Sequence, residues 1–553
     1  MAKQQQSLEF FRFLNRESKE FGAQLLWLTA AAGIINGIMV AVLVTAAPMA
    51  APGNLNFPYL LMFGVAFFAF YTSKRHVLNK TNIIVEGIVD QVRIRIADKV
   101  RKADLLTFEK MDSGLLQTVV STHTMVISQA SGLIINAASS VLLIIVSSFY
   151  ILMISKTAFL LTLAVLGGAI LIYMSNQKDV VKYLMATAAK EGQFYKAFDD
   201  LLKGFKELKL NSRKDNAFFE SALRKSSMEA QTYKIKVGDL VNRNMLLSQT
   251  TFYVLLAVVI FILPNLEIDL APTIIALTSV ILFIVGPISE MVTTYSFYTR
   301  ATVSVTEIDK LEQQLETLQP ELEDTEIQDS QPLPFEHIEC KGISFHYNNG
   351  SPGRFQLGPV DFTLEPGKIV FIVGGNGSGK STFIKLFTGL YPPSEGSINI
   401  NGRVLGKRLY RRYRNLFSPV FSDFHLFDQI YGIDDLDEDR IDQLIHKMEL
   451  QDRTKVTGRA ISNTQLSTGQ RKRLALVLTM VEDKPIFIFD EWAADQDPTF
   501  RRYFYKEILP QLKAEGKTIL AATHDDKYFD VADEVYKFEE GKMHRIQNGE
   551  NPF

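Results

Sequence analysis

Apolar and polar positions divide the chain into two regions. Up to about residue 300, apolar residues gather in long runs that charge seldom interrupts. Beyond about residue 335 they come in short blocks broken by polar and glycine-bearing turns, the pattern of an ordinary soluble domain. A helix needs roughly 20 apolar residues to cross a bilayer core. Six runs approach or exceed that length: 21–49, 57–71 and slightly beyond, 132–154, 158–174, 248–266 and 271–292. Any one alone reads equally well as a buried helix of a soluble protein. Six, almost free of interior charge, predict a six-helix membrane domain over 21–310. Ahead of them, Leu8, Phe11, Phe13 and Leu14 mark one face of a short amphipathic helix within 1–20, suited to lie on a membrane surface. The stretch 311–334, with "ETLQPELEDTEIQDSQPLP" at its centre, is acidic, polar and proline-bearing, as a linker should be. A second domain fills 335–553.

The basic residues orient the spans. The short connectors "APGNLN", "SKT" and "PNLEIDL" hold one lysine between them, Lys156. The two long connectors are rich in lysine and arginine, as in "SKRHVLNK", "RIRIADKVRK" and "KAFDDLLKGFKELKLNSRKD". The long connectors, the N-terminus and everything after Arg300 are therefore expected in the cytoplasm. Helix continuing for about 15 residues past the membrane reaches more than about 20 Å into it. Asn36, Asn136, Gln249, Glu290 and Tyr295 are polar groups within the spans; each is as compatible with a helix–helix hydrogen bond as with a cavity.

Composition sharpens this picture. The 553 residues are 47% hydrophobic and 22% charged, with a formal net charge of −2, which gives no sign of bulk nucleic-acid binding. The single cysteine, Cys340, excludes an internal disulfide framework and suits a reducing compartment for the second domain. The opening "MAKQQQSLEFFRFLNRESKEFG" lacks the order of a cleavable signal.

The second domain carries chemistry. "IVFIVGGNGSGKSTFIKLFTGL" is a buried strand, a glycine loop and a helix start, with Gly374, Gly379, Lys380 and Ser381 at the G-x-x-x-x-G-K-S spacing. Such a loop, here also Asn376, Gly377, Ser378 and Thr382, turns backbone N–H groups toward phosphate oxygens, and the following helix adds its dipole. Lys380 is expected on the β- and γ-phosphates of ATP and Ser381 on Mg²⁺. "PIFIFDE" reads as a second parallel strand ending beside that loop. Asp490 then holds Mg²⁺, directly or through water, and Glu491 polarises the attacking water.

Downstream of the loop, "LSTGQRKRLAL" resembles the signature of ATP-binding cassette (ABC) proteins, and it lies shortly before the "IFIFDE" strand as in that family. The resemblance makes His524 in "ILAATHDD" the switch histidine and Tyr347 in "ISFHYNNG" the aromatic that stacks on adenine. It implies that Ser467, Thr468, Gly469 and Gln470 face the ATP of a second cassette. One cassette and six spans imply a half-transporter closing two sites as a C2 homodimer; the presence of Glu491 favours that over a heterodimer. The family's glutamine between core and helical subdomain is missing. In "FSPVFSDFHLFDQ" Ser422 or Asp423 falls at its place, and Gln429 is too late.

The fold implied is a six-helix exporter-type membrane domain followed by an α/β phosphate-loop ATPase, in a bacterial inner membrane among lipids. "FEKMDSGLLQTVVSTH" and "FDDLLKGFKELKLNSRKD" resemble the fold's two coupling segments, with tips expected near Ser418–Phe427. "DEWAADQDPTFRRYFY", "GGNGSGKST" and "THDDKYF" resemble the bacterial cyclic-peptide and siderophore exporters, the group of the pyoverdine, syringomycin and lasso-microcin exporters. That implies a peptide-like or siderophore-like cargo. In this register Asp497 closes the Asp-loop, Asp495 is an added carboxylate near the dimer seam, and Trp492 packs beside the nucleotide site. Lipid or drug export, siderophore import on the same fold, or an ATP-gated channel are the alternatives; intact Lys380, Ser467 and Glu491 argue against the last.

Overall fold

A computed structural model describes residues 9–47, 56–109, 111, 113–266, 271–317, 333–347, 355–406 and 409–546. Leu8 and nearly all of the acidic stretch lie outside them. The chain forms two compact units, Met1–Lys99 with Asp112–Leu315, and Val100–Met111 with Glu316–Phe553.

The first unit is helical. Five helices among the described residues are long and apolar enough to cross a membrane, within Trp27–Ala46, Leu116–Ile154, Lys156–Lys203, Ser212–Asn265 and Ile274–Glu316. The sixth expected span falls just short of that standard: the helix Phe57–Lys102 meets charge at Lys74 and Arg75. Its outward side chains over the expected stretch are nonetheless apolar, with Phe57, Leu61, Val65, Phe68 and Tyr71 all exposed. Its buried positions begin only at Val77 and recur through Ile96 at helical spacing. The last helix runs Ala271–Thr317, past the expected domain limit and into the expected linker.

Small residues let the first and third spans approach. A Cβ at Gly33 would fall 2.8 Å from Leu142 Cβ, and one at Gly37 2.6 Å from Val146 Cγ1. Glu290 accepts from Ser140 Oγ at 2.5 Å, so it joins two helices. The N-terminal helix Glu9–Glu17 buries Phe10, Phe13 and Leu14, whereas Phe11, expected on that face, is exposed. Arg95 pins this helix with a fork of 2.6 and 3.1 Å onto Glu17 and a third bond of 2.8 Å to Glu312.

Among the described residues the second unit contains two main sheets and a small hairpin, Val456–Thr457 with Ala460–Ile461. An antiparallel one runs Gln356–Leu364, Ile338–His346, Glu395–Ile400, Arg403–Val404, and Cys340 is buried in it. The other has the order Lys542–Arg545, Glu534–Glu539, Ile369–Gly374, Thr518–Ala522, Ile486–Asp490, Phe417–Val420, parallel except for its first pair. The three central strands are buried at every residue, which explains their unbroken apolar sequences. The "IFIFD" strand is thus not the immediate neighbour of the phosphate-loop strand, because Thr518–Ala522 lies between them.

The segment 100–111 belongs to this unit. Asp104 caps a one-turn helix, Leu105–Phe108, by accepting from Thr107 N at 2.8 Å. Leu105 and Leu106 pack against the core that includes Phe345, Phe387 and Tyr391. Glu109 accepts from Lys385 Nζ at 2.8 Å and from the Tyr391 hydroxyl. The first tip thus has polar anchors outside Ser418–Phe427, where the sequence placed it, although Phe421 shares the same apolar cluster.

Candidate nucleotide site

The loop after Ile369–Gly374 demands glycine. Gly374, Gly377 and Gly379 have φ of 143°, 77° and 116°, where a side chain is strained. A Cβ on Gly374 would also lie 2.4 Å from the Phe538 carbonyl oxygen. The helix Lys380–Phe387 starts directly after Gly379, so its free N–H groups open onto the loop.

Lys380 is only 4% exposed and folds back over the loop. Its ammonium donates to the carbonyls of Gly374 at 2.9 Å and Gly375 at 3.2 Å, and lies 3.1 Å from His524 Nε2 and 3.4 Å from Glu491 Oε1. His524 Nε2 is in turn 3.0 Å from the same Glu491 oxygen. Ser381 Oγ donates to Asp490 Oδ1 at 3.2 Å, and Ser422 Oγ to Asp490 Oδ2 at 3.4 Å. Burial pushes the Asp490 carboxyl above its ordinary range and the neighbouring Glu491 adds to this, against the hydrogen bonds of Ser381 and Ser422 and the charge of Lys380.

Five expected residues therefore converge: Lys380, Ser381, Asp490, Glu491 and His524. Both candidates for the missing glutamine are exposed, and Ser422 is the one that touches Asp490. Tyr347 hydrogen-bonds Thr382 through the two hydroxyls at 3.2 Å and meets Phe345 edge-on at 5.0 Å, which holds its ring at the rim.

The residues fit a magnesium nucleotide. Ser378 Oγ is buried without a partner, an acceptor-donor left open inside the loop. The hydroxyl of Ser381 and the carboxylate of Asp490 are hard oxygen donors. They suit Mg²⁺, which takes most of its ligands from water and phosphate. Among the described residues no group of three or more His, Cys, Asp or Glu side chains forms a separate metal site.

The signature residues stand apart from that cluster. Ser467 caps the helix Thr468–Glu482 in a box with Gln470: Ser467 Oγ accepts from Gln470 N at 3.4 Å and Gln470 Oε1 accepts from Ser467 N at 3.2 Å. Among the described residues no hydrogen bond joins Ser467, Thr468, Gly469 or Gln470 to the phosphate loop. Their neighbour is the turn after Glu491. A Cβ on Gly469 would fall 2.8 Å from the Asp495 carbonyl oxygen, and Gln496 Nε2 donates to Gly469 O at 3.1 Å. Asp495 pairs within its own chain, with Lys472 at 2.7 Å. Asp497 caps the helix Pro498–Tyr503 and holds Arg473 at 2.7 Å. Trp492 is a core residue, stacked on Phe504 at a ring separation of 4.2 Å. Lys472, Arg473 and Gln496 escaped the sequence reading; two consecutive cations facing two carboxylates across the motif were the available signal.

Comparison with known proteins gives the family and the fold. Residues 357–494 match the family model described as ABC transporter. The chain is 36% identical over 395 residues to the ATP-binding protein SyrD of Pseudomonas syringae pv. syringae, covering 69% of each chain. It is 30% identical over 217 residues to the ATP-dependent lipid A-core flippase of Burkholderia pseudomallei (strain 1710b), a match spanning 37% of this chain and 36% of the flippase. In fold it resembles the structure of a bacterial Atm1-family ABC exporter with ATP bound, with a TM-score of 0.72 and 18% identity over 94% of this chain and 93% of that one.

Proposed function

The chain belongs to the ABC transporter family, in which ATP hydrolysis drives transport, and we propose that it is a half-transporter exporting a peptide-like or siderophore-like product as a C2 homodimer. The observation that carries the ATPase part is the convergence of Lys380, Ser381, Asp490, Glu491 and His524 at adjacent strand ends. Lys380 exchanges the carbonyls of Gly374 and Gly375 for phosphate oxygens. Ser381 and Asp490 would hold Mg²⁺, with Ser422 in the place of the family's glutamine, and a metal there would supply neutralisation of charge on the phosphates. Glu491 orients the attacking water. His524 shares the Glu491 oxygen with Lys380, so it joins the hydrolytic carboxylate to the γ-phosphate position. Tyr347 stacks on adenine.

Ser467, Thr468 and Gly469 complete the site of a second copy. Their separation from the phosphate loop within one chain supports this, because a lone cassette leaves them without nucleotide. Closure of two such sites draws the cytoplasmic connectors together and turns the spans by alternating access. Shifting such an equilibrium from 1:99 to 99:1 requires roughly 5.5 kcal/mol of differential binding.

The membrane unit offers a largely apolar cavity to the non-polar part of such a cargo. A cavity of about 520 Å³ opens among four of its helices, lined by Ile145, Ile170, Met174 and Leu247 together with Tyr173 and Tyr295. The "DEWAADQDP" resemblance points to peptide-like products. The chain is read as sitting in a bacterial inner membrane with its N-terminus and ATPase unit in the cytoplasm. The test is ATP-dependent uptake of cyclic peptides and siderophores into inverted membrane vesicles. Accumulation against a gradient supports export. ATP hydrolysis that no such compound stimulates, with no accumulation, rejects the cargo class.

A further inference from the structure

We propose that Lys472 is a positioning residue for ATP hydrolysis: from inside the signature helix its ammonium holds the backbone of Glu491 and so aims the hydrolytic carboxylate. This rests on ATP hydrolysis alone and on neither cargo nor direction.

Lysine is seldom buried without a partner. Lys472 is 3% exposed, and it has two. Its Nζ donates to the main-chain carbonyl of Glu491 at 2.8 Å and pairs with Asp495 Oδ2 at 2.7 Å. The carboxylate offsets the cost of taking the ammonium out of water, which leaves the cation free to hold the carbonyl. The same residue receives a bond in return, since its own carbonyl accepts from Trp492 Nε1 at 2.9 Å. Lys472 thus lashes the turn that follows Glu491 to the signature helix with both its side chain and its main chain. Arg473 secures the far end of the turn through Gln496 at 3.0 Å and Asp497 at 2.7 Å.

The point held is a strained one. Glu491 has φ of 51°, the left-handed region that residues with a Cβ enter only when their surroundings fix them. Three hydrogen bonds hold the Glu491 main chain: its N–H donates to Ala522 O at 3.1 Å, and its carbonyl accepts from Ala494 N at 3.3 Å within the turn and, more closely, from Lys472, the bond that ties it to the signature helix. With the Lys472 bond gone, only the longer turn bond from Ala494 holds the carbonyl, and relaxation toward ordinary φ swings the carboxylate away from His524 and Lys380. A misplacement of about 1 Å costs on the order of 100-fold in rate. The Lys472 ammonium is spent on the Glu491 carbonyl and Asp495, and among the described residues no hydrogen bond joins it to the phosphate loop, so its effect is expected on rate and not on nucleotide capture.

The test uses the full-length protein with Mg-ATP. Lys472→Met keeps length and most volume and removes the charge. Its kcat should fall about 30-fold or more, with KM for ATP within about threefold of the parent. Lys472→Arg, which can still bond the carbonyl, should recover at least tenfold of that loss. Lys472→Met/Asp495→Asn removes both charges, leaves no orphaned carboxylate, and should show the same split; it stands in if the single variant fails to fold. Folded variants with kcat within threefold of the parent overturn the proposal. So does a parallel loss of ATP binding and hydrolysis, or an Arg variant no better than Met, because a merely structural lysine gives those results.

Discussion

Replacing Glu491 with Gln should separate ATP capture from ATP cleavage. The amide keeps an oxygen where Glu491 Oε1 lies, 3.0 Å from His524 Nε2 and 3.4 Å from Lys380 Nζ. Nothing that Gly374–Ser381 offers to phosphate is touched. Glu491 is one-third exposed, so its pairing with Lys380 contributes only ~0.2–1 kcal/mol. Removing it frees Lys380 for the phosphates, so ATP affinity should stay unchanged or tighten up to about fivefold. Loss of a positioned general base costs about 10²–10⁴ in rate, or about 2.7–5.4 kcal/mol of barrier. The variant should therefore bind Mg-ATP and hold two cassettes closed around it while turnover falls at least about 100-fold. Phosphate release gives kcat, a fluorescent ATP analogue gives affinity, and spin labels on two copies give the distance between cassettes. Turnover within fivefold of the parent, or ATP binding weakened more than tenfold, would refute the assignment of Glu491. Cassettes that stay apart in Mg-ATP would refute the two-site homodimer.

Tyr347→Ala should raise KM for ATP and leave kcat near the parent value, because stacking is equal in ground and transition states; steady-state kinetics check it. Trp492→Ala removes a ring that is 1% exposed and stacked on Phe504, so it should cost the ATPase unit about 3–5 kcal/mol, read as a melting temperature about 10 °C lower. Glu109→Gln should loosen the segment 100–111, seen as faster amide exchange over 104–108. Burial alone would raise the Glu109 carboxyl, but the hydrogen bonds from Lys385 and Tyr391 hold it below the usual range. Its contribution is therefore complete above the unfolded value of about 4.3 and disappears as pH falls through the folded one. The exchange difference between parent and Gln variant should persist at pH 7 and shrink below about pH 4.

The parts legible in the sequence are those whose spacing chemistry dictates. A phosphate fixes how far Gly374, Gly379 and Lys380 stand apart, and a bilayer fixes how long an apolar run must be. What depends on strand order was not legible: nothing along the chain says that Thr518–Ala522 inserts between the loop strand and "IFIFD". Side-chain pairs between distant segments are hidden for the same reason: nothing along the chain sets Asp495, read as an added carboxylate near the dimer seam, against Lys472. The face of the N-terminal helix turned on a single position, Phe10 against Phe11, which composition does not distinguish. Ser422 and Asp423 are equivalent by register, and only the contact with Asp490 separates them.

The short segment 100–111 has a practical consequence for anyone dividing this protein. The acidic stretch before residue 333 is where sequence suggests a cut, and a fragment beginning there would contain every nucleotide-site residue named above. It would not be the whole ATPase fold. The chain enters that fold twice, and the first visit supplies Leu105 and Leu106 to the apolar cluster and Glu109 to Lys385 and Tyr391. A truncated cassette bares an apolar socket to water and strands a lysine without its carboxylate, so it should aggregate more readily than the parent. Grafting 100–111 back through a flexible tether would restore both, and kinetic constants from such a fusion would transfer to the full chain better than those of the bare fragment.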